Sequence, residues 1–384
     1  MERLAIRGGK PVSDHWIPIS KPLIGDDEIN EVIRVLRSGQ LREGALTRRF
    51  EEEFRMRCGS KHAIAVNSGT AALHLAMMAL IRPGDEVIVP AFTFAASVNV
   101  IVLSGGRPVF ADIDERTFTL DPNDVLERIT SKTAAIEPVH LYGQPADIKA
   151  LNEIAEDHGL KIIWDAAQAH GAEYNGRDVG SFDDAVCFSF YATKNMTTGE
   201  GGMVTTNSDE IAQQVRLMKS HGEARRYLHI TYGLNYRMTE VQAAIGIYQL
   251  RKLNKFNAIR ARNAEILTKG LKGLDGIITP YVRPGCKHVF HQYTIMLELE
   301  NFRCTRDEFL EALRAENIDA RVYYPTPIHK QPAYRGIAKN VKLPVTEHVA
   351  DRVISLPVHP ALSDEDLRLI VRAVEKVASY FHKR

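Results

Sequence analysis

The chain has 384 residues, with 49 lysine and arginine residues against 48 aspartate and glutamate residues, and its formal net charge is +1. This length suits a large domain at 1–250 followed by a smaller one at 251–384, and the balanced charge favours neither nucleic acid nor a membrane surface as a partner. Because no run approaches the ~20 apolar residues of a bilayer span and the four cysteines are scattered, we expect a cytoplasmic protein without a metal site.

Short β-branched runs alternate with amphipathic stretches from about residue 60 onward. These runs are AIAV at 63–66, EVIVP at 86–90, PVFADI at 108–113, AAIEPVH at 134–140 and KIIWDAA at 161–167. Each run is short, largely apolar and followed by a polar or glycine-bearing segment, which is typical of parallel strands covered by helices on both faces. We therefore predict an α/β domain whose functional groups gather at the carboxyl ends of its strands.

The pattern changes in the second half of the chain. After a strand at MVTTN (203–207), helical periodicity covers 209–220 and the stretch from 239 to about 271. Beyond it we predict a strand at 292–299, a helix over 305–316, an extended segment at 319–324 and a last helix over 363–381. These elements predict a smaller C-terminal α+β domain, which the long helix would join to the large one.

A possible phosphate site opens the first helix that follows a predicted strand. Asn67-Ser68-Gly69-Thr70 stands between the strand at 63–66 and an alanine-rich stretch. Free backbone N–H groups and the positive end of the helix dipole favour an anion at such a position. The alternative is an ordinary Ser/Thr helix cap with a glycine at the turn.

Two ionisable residues follow later strands of the same predicted sheet. Asp165 comes directly after KIIW, where its carboxylate could pair with a protonated pyridine nitrogen or could cap the next helix. Lys194 lies in SFYATKNMTTGEGGMV at 189–204 and is the best candidate nucleophile, because burial would lower the pKa of its amine. Its alternative is a surface lysine beside a flexible glycine-rich turn.

A phosphate seat, a carboxylate for a ring nitrogen and a lysine that can form a Schiff base are together what pyridoxal phosphate requires. The segments SGTAAL, FTFAAS, WDAAQAHGA, SFYATKNMTTGEGG and GLNYRMTEVQAA closely resemble the motifs of the DegT/DnrJ/StrS-type nucleotide-sugar aminotransferase family. The resemblance covers nearly the whole chain and implies fold type I of the pyridoxal-phosphate enzymes. That fold has a mainly parallel seven-stranded sheet between helices in its large domain and a smaller C-terminal α+β domain.

The resemblance also implies roles for individual residues around the cofactor. Catalysis is expected from Lys194, which would carry the cofactor and move the proton, and from Asp165, which would hold the ring nitrogen. The other expected cofactor contacts are Gly69, Thr70 and Ser189 at the phosphate, Gln168 at the ring hydroxyl and Phe94 stacked on the ring. Phe92 is the alternative stacking residue, and Phe94 could instead belong to the core.

A second set of residues is expected at the subunit boundary and the substrate. Asn235 resembles an asparagine that reaches the cofactor phosphate of the neighbouring subunit, which implies a homodimer. Arg237, Tyr323 and His329 are candidate substrate-binding residues. Arg237 could instead form an ion pair with Glu240, and the aromatic residues of YYPTPIH at 323–329 could serve packing alone.

The activity implied by the resemblance is transfer of an amino group from an amino acid, with glutamate expected, to the keto group of a nucleotide-linked hexose. One branch of the family has histidine in place of the lysine and dehydrates its substrate, and Lys194 argues against that branch. Two alternatives stay open. One is a cyclitol or aminobenzoate-type aminotransferase of the same family, and the other is a non-enzymatic regulator that keeps the fold.

Overall fold

The computed structural model describes residues 2–182 and 184–383. Its α-helices are α1 Asp26–Ser38, α2 Ala45–Cys58, α3 Gly69–Leu80, α4 Ala95–Leu103, α5 Pro122–Arg128, α6 Ile148–His158, α7 Asp209–Met218, α8 Glu240–Leu271, α9 Arg306–Ala315, α10 Pro344–Ala350 and α11 Asp364–Phe381. Its strands are β1 His62–Val66, β2 Glu86–Pro90, β3 Arg107–Ala111, β4 Thr133–Ile136, β5 Lys161–Asp165, β6 Glu173–Tyr174, β7 Arg177–Asp178, β8 Ala185–Ser189, β9 Gly202–Thr206, β10 Glu223–Arg225, β11 Leu228–His229, β12 Ile277–Ile278, β13 Cys286–Lys287, β14 Tyr293–Leu297 and β15 Val353–Leu356.

A seven-stranded sheet forms the centre of the molecule, with the strand order β1-β9-β8-β5-β4-β2-β3. The pairs from β8 to β3 are parallel, and β9 alone runs antiparallel to its two neighbours, β1 and β8. The predicted mainly parallel sheet is therefore confirmed. Because β1, β5 and β8 point the same way, their last residues Val66, Asp165 and Ser189 reach the same edge of the sheet.

Apolar side chains cover both faces of this sheet. Trp164 and Phe188 pack on one face with Phe54 of α2, whereas Ile163 packs on the other face with Leu75 of α3. The neighbours Ile163 and Trp164 thus enter opposite cores, as the two-residue period of a strand requires. Burial on both faces explains why the strands are continuous apolar runs in the sequence.

The C-terminal region forms a smaller unit around the three-stranded sheet β12-β14-β15, with α9 and α11 packed in the same apolar core. The N-terminal residues Leu4 and Ile17 belong to this core too, and Ile17 pairs with Ile318 in a parallel bridge. The buried carboxylate of Glu316 accepts hydrogen bonds from the N–H groups of Ala5 and Val12. The predicted domain boundary at residue 250 lies inside the unbroken helix α8 and stays a prediction.

Most predicted elements appear within a few residues of their expected bounds. The strand predicted at 134–140 is shorter than expected, because β4 ends at Ile136. Pro138 has no N–H group to donate to a neighbouring strand. The predicted extended segment at 319–324 forms only an isolated bridge between Arg321 and Ser355. The helices α1 and α2 were not predicted. None of the described helices combines the length and the apolar character needed to cross a bilayer.

Candidate active site

A cavity of about 460 Å³ opens at the edge of the sheet where β1, β5 and β8 end. Its wall includes these residues singled out from the sequence: Gly69, Thr70, Phe94, Asp165, Gln168, Ser189, Lys194 and Tyr323. They come from four separate segments of the chain and from the C-terminal region. The parallel strands bring the first four segments together, as the sequence indicated.

The start of α3 and the end of β8 form one side of the cavity. Ser68 caps α3, because its Oγ accepts a hydrogen bond from the N–H of Ala71 at 3.1 Å. A Cβ atom at Gly69 would lie 2.5 Å from the Cβ of Ser189, so only glycine permits this close approach. The helix cap and the phosphate seat are thus compatible, since the cap uses a side chain and leaves the first N–H groups of the helix free.

Lys194 follows β8 and lies in the wall of the cavity, to which it keeps some exposure. Burial lowers the pKa of its amine from 10.5 to about 8, and the negative charge of Asp165 opposes part of that shift. At pH 7 about a tenth of such an amine is neutral, far more than for an ordinary lysine. Lys194 is therefore not the surface lysine of the alternative interpretation, and its amine can act as a nucleophile and a base.

Asp165 ends β5 at the floor of the cavity. Its Oδ2 accepts a hydrogen bond from the Ser97 hydroxyl at 2.9 Å, and its Oδ1 accepts one from the N–H of Ala167 at 3.0 Å. Burial raises the pKa of Asp165, while these hydrogen bonds and the charge of Lys194 oppose the rise. The residues after Asp165 form turns, so the predicted helix-cap alternative is wrong.

A second carboxyl group, Glu137, lies within electrostatic reach of Asp165. It is fully buried, and neither of its carboxyl oxygens has a hydrogen-bond partner in the described part of the chain. Burial raises the pKa of Glu137 well above the usual value, and the charge of Asp165 adds to the rise. The folded protein therefore keeps the proton of Glu137 to a higher pH than the unfolded chain, which loses it near pH 4–5.

Replacement of Glu137 by glutamine should remove a pH dependence of stability. Between the two pKa values the folded state binds one proton more than the unfolded state, so stability falls as pH rises, by up to about 1.4 kcal/mol per pH unit. Glutamine has no such proton. In the cofactor-free protein we expect the melting temperature of Glu137→Gln to match that of the wild type near pH 5 and to exceed it increasingly as pH rises toward the folded-state pKa of Glu137.

The matched control is Glu156→Gln on the exposed side of α6. It changes the same chemical group without removing a buried carboxyl, so the pH slope of the wild type should persist. Parallel curves of melting temperature against pH for Glu137→Gln and the wild type would contradict the assignment of a buried proton to Glu137.

The aromatic residues separate into a cavity group and a core group. Phe94 is 57% exposed and lines the cavity, whereas Phe92 is 0% exposed and packs edge-on against Phe118 and Tyr142. Of the two expected stacking candidates, only Phe94 can therefore meet a ligand. The ring of Phe94 lies 5.9 Å from that of Tyr324, measured between centroids.

Gln168 connects the cavity to the C-terminal region. Its Oε1 accepts a hydrogen bond from the N–H of Tyr142 at 2.6 Å, and its Nε2 donates one to the Tyr324 hydroxyl at 3.2 Å. The hydroxyl of Tyr142 in turn donates to the carbonyl of Tyr323. These bonds hold the Tyr323 segment against the cavity.

The remaining three predicted residues do not line the cavity of their own chain. Asn235 is exposed, and its carbonyl accepts a hydrogen bond from Asn67. His329 is buried beside Phe110, and its Nε2 lies 3.1 Å from Glu347. Arg237 donates to the Ser220 hydroxyl at 3.0 Å.

The alternative pairing of Arg237 with Glu240 is wrong. The carboxylate of Glu240 accepts hydrogen bonds from the N–H groups of Gly44, Leu46 and Thr47 and from the Thr47 hydroxyl. These donors belong to the start of α2, which has no capping side chain of its own. Glu240 therefore caps α2 across the core, and no ion pair between the described residues joins it to Arg237, which bonds to Ser220 instead.

Several residues of the cavity wall were not predicted from the sequence, among them Tyr191, Glu200, His291, Gln292 and Tyr324. His291 and Gln292 stand just before β14 in the C-terminal region. No motif of the sequence connects them with Lys194. Their position follows from the packing of the C-terminal unit against the sheet edge, which only the folded chain shows.

The chain matches the model of the DegT/DnrJ/EryC1/StrS aminotransferase family over residues 22–375. It is 42% identical to the dTDP-3-amino-3,4,6-trideoxy-α-D-glucose transaminase of Streptomyces venezuelae, covering 90% of this chain and 91% of the relative. It is 40% identical to the GDP-perosamine synthase of Caulobacter vibrioides, covering 94% and 98%. A pleiotropic regulatory protein of Geobacillus stearothermophilus is 41% identical, with coverage of 91% and 94%.

A solved structure has the same fold. The crystal structure of Streptomyces venezuelae DesV in complex with a ketimine intermediate superposes with a TM-score of 0.89 at 40% sequence identity, covering 94% of this chain and 99% of that one. The family match spans both the sheet domain and most of the C-terminal unit, in agreement with the resemblance of the motifs. The chain belongs to the DegT/DnrJ/EryC1/StrS aminotransferase family.

Proposed function

We propose that this protein is a pyridoxal-phosphate-dependent aminotransferase that moves an amino group from glutamate to the keto group of a nucleotide-linked hexose. The main observation behind this proposal is that one cavity brings together a lysine of lowered pKa, a buried carboxylate and a helix start suited to phosphate. The family and the names of the two sugar-processing relatives support the substrate class.

The residues of the cavity fit pyridoxal phosphate. The start of α3 and Ser189 offer a seat for the phosphate group, and the exposed ring of Phe94 offers an aromatic surface. Asp165 is buried, and no lysine or arginine of the described residues lies within ion-pair distance of its carboxylate. A protonated ring nitrogen of the cofactor would pair with this negative charge. Gln168 would meet the ring hydroxyl.

When bound, pyridoxal phosphate supplies an aldehyde that condenses with amines and a ring that withdraws electrons. Lys194 would hold the cofactor through its Nζ, and the same nitrogen, once free and neutral, would take the proton from the α-carbon of the amino donor. Asp165 would hold the ring nitrogen in its protonated state, and Phe94 would fix the plane of the ring. Lys194 would move a proton in the opposite direction when the keto sugar receives the amino group.

The test is turnover by the wild-type protein loaded with pyridoxal phosphate. Glutamate should remove the visible absorption band of the bound cofactor, and a later addition of dTDP-, GDP- or UDP-linked keto hexoses should restore it with release of an amino sugar. Restoration by keto cyclitols alone would move the assignment to the cyclitol-type branch.

A regulator without catalytic activity is the second candidate function, because the relative from Geobacillus stearothermophilus is named a regulatory protein. A pure regulator predicts no response of the absorption band to any amino donor. The presence of Lys194 with its lowered pKa beside Asp165 favours the enzyme, since binding alone does not require an amine that can move protons.

The second part of the proposal is a homodimer in which Asn235 serves the cofactor phosphate of the neighbouring subunit. Asn235 is exposed and lies outside its own cavity. The nearby hairpin of β10 and β11 and the residues after it present large exposed apolar side chains, among them Tyr227, Ile230 and Tyr232, the last 93% exposed. Exposed apolar groups clustered in this way are typical of an interface between proteins.

Mixing two inactive variants should restore activity if Asn235 acts in trans. A dimer of one Asn235→Ala chain and one Lys194→Ala chain contains one intact site. That site combines Lys194 of the Asn235→Ala chain with Asn235 of the Lys194→Ala chain. After unfolding and refolding a 1:1 mixture, we expect about a quarter of the wild-type activity, since half of the dimers are mixed and each has one good site of two.

Each variant refolded alone is the control for this mixing experiment. If Asn235 acts within its own chain, no mixed dimer contains an intact site, and the activity of the mixture will not exceed that of the separate variants. A monomeric wild-type protein in sedimentation would also contradict the proposal.

A further inference from the structure

His291 belongs to the C-terminal region and lines the cavity that holds the expected cofactor residues. It stands two residues before β14 and is buried, and it lines the same cavity as Lys194. Its Nδ1 lies 3.3 Å from the Oδ1 of Asn195, the residue directly after Lys194. The imidazole is thus tied to the segment that carries the catalytic lysine.

The orientation of two side-chain amides near the His291 imidazole, those of Asn195 and Asn257, is fixed by hydrogen bonds to backbone carbonyls. Asn257 Nδ2 donates to the carbonyl of His170 at 2.8 Å, which leaves Asn257 Oδ1 as an acceptor. Asn195 Nδ2 donates to that Oδ1 at 2.8 Å and to the carbonyl of Val289 at 2.9 Å. Both amide hydrogens on Asn195 Nδ2 are then used in hydrogen bonds. Because Asn195 Oδ1 can only accept a hydrogen bond, the neighbouring Nδ1 of His291 must be the donor and must carry the ring hydrogen.

The surroundings of His291 keep the imidazole neutral. Burial holds its pKa well below the usual value, and the positive charges of Lys194 and Arg260 lower that pKa further. Arg260 stays beside the ring because its Nη1 donates to the carbonyls of Phe290 and His291 at 3.2 and 3.4 Å. A neutral imidazole with its hydrogen on Nδ1 has a lone pair on Nε2.

In the part of the chain that the structure describes, Nε2 of His291 has no hydrogen-bond partner. It can therefore accept a hydrogen from a molecule in the cavity. The carboxylates of an amino-acid donor have no hydrogen to give and its amino group would bond to the cofactor, whereas every hydroxyl group of a hexose has a hydrogen to donate. We infer that His291 determines specificity by accepting a hydrogen bond from a hydroxyl group of the sugar acceptor, an inference that rests on the proposed function.

The two half-reactions provide the test. His291→Phe keeps a ring of similar size without the acceptor nitrogen, and His291→Gln retains an acceptor oxygen. In His291→Phe we expect the KM for the keto sugar to rise about tenfold or more, the usual cost of one hydrogen bond in a buried site. The rate of the glutamate half-reaction should fall by a smaller factor, which reflects only the lost bond to Asn195. His291→Gln should recover part of the loss.

A nuclear magnetic resonance measurement on the cofactor-free protein checks the tautomer independently of turnover. With ¹⁵N-labelled histidine, and His291→Phe to assign the signal, we expect a neutral ring with its hydrogen on Nδ1. A protonated ring, a hydrogen on Nε2, or an unchanged KM for the sugar in His291→Phe would overturn the inference. If the loaded wild type responds to no amino donor, the proposed function itself fails, before any variant is compared, and takes this inference with it.

Discussion

Replacing Lys194 with alanine is expected to lower kcat for transamination by about 10⁴-fold or more, because the proposed mechanism assigns both the covalent anchor and the base to this one residue. Among the described residues that line the cavity, Lys194 is the only lysine, so no neighbouring amine can replace it as anchor or base. The measurement is the single-turnover rate at which glutamate removes the absorption band of the cofactor, since this isolates the first half-reaction from sugar binding.

Lys194→Arg is the matched control for the charge. Its guanidinium stays positive and lies at a similar position, but it stays protonated and cannot provide a neutral nitrogen near pH 8. It should therefore be as inactive as the alanine variant. Activity in Lys194→Ala within tenfold of the wild type would contradict the assigned role, and circular dichroism of both variants checks that the fold is intact.

The meeting of the expected cofactor residues in one cavity could be predicted from sequence because each stands at or after the end of an element that local pattern identifies. Asp165 ends a strand, and Gly69 and Lys194 follow strands, that are buried on both faces and hence easily read as apolar runs. Parallel pairing then places these ends at one edge of the sheet, whatever the details of packing. The position of these strand ends depends on backbone pairing and not on particular side-chain contacts.

Residues positioned by contacts between distant segments could not be predicted in this way. His291 and Tyr324 reach the cavity from the C-terminal region, and Glu240 caps α2, almost 200 positions earlier in the chain. Glu137 stands in an apolar run, where local pattern gives no sign that its carboxyl would be buried without a partner. In each case the decisive partner is remote in sequence.

Asp165→Asn is expected to reduce kcat by about 10²–10³-fold, the usual range when one electrostatic partner of a developing charge is removed. Asparagine has nearly the same size and can still bond with Ser97 and Ala167, so the floor of the cavity should persist. Its amide carries no negative charge, however, and cannot hold a ring nitrogen in its protonated state. Steady-state kinetics at saturating glutamate and keto sugar give the measurement.

The same substitution should ease capture of the cofactor while it reduces turnover. The charge of Asp165 raises the pKa of Lys194 against the effect of burial, so its removal should move that pKa below about 8 and increase the neutral amine at pH 7. In the wild type, the rate of capture of pyridoxal phosphate should rise with pH and level off above about pH 8. In Asp165→Asn, the plateau should begin at lower pH.

Slower turnover together with cofactor capture at lower pH would distinguish the loss of the Asp165 charge from general damage to the site, which would impair both. Asp178→Asn is the matched control, because Asp178 is also buried and pairs with Arg57 at 2.9 Å, but it lies outside the cavity wall. It should leave both kcat and the capture profile of Lys194 unchanged. A fall in kcat of less than about threefold in Asp165→Asn, or a capture plateau that moves to higher pH, would contradict the role of its carboxylate.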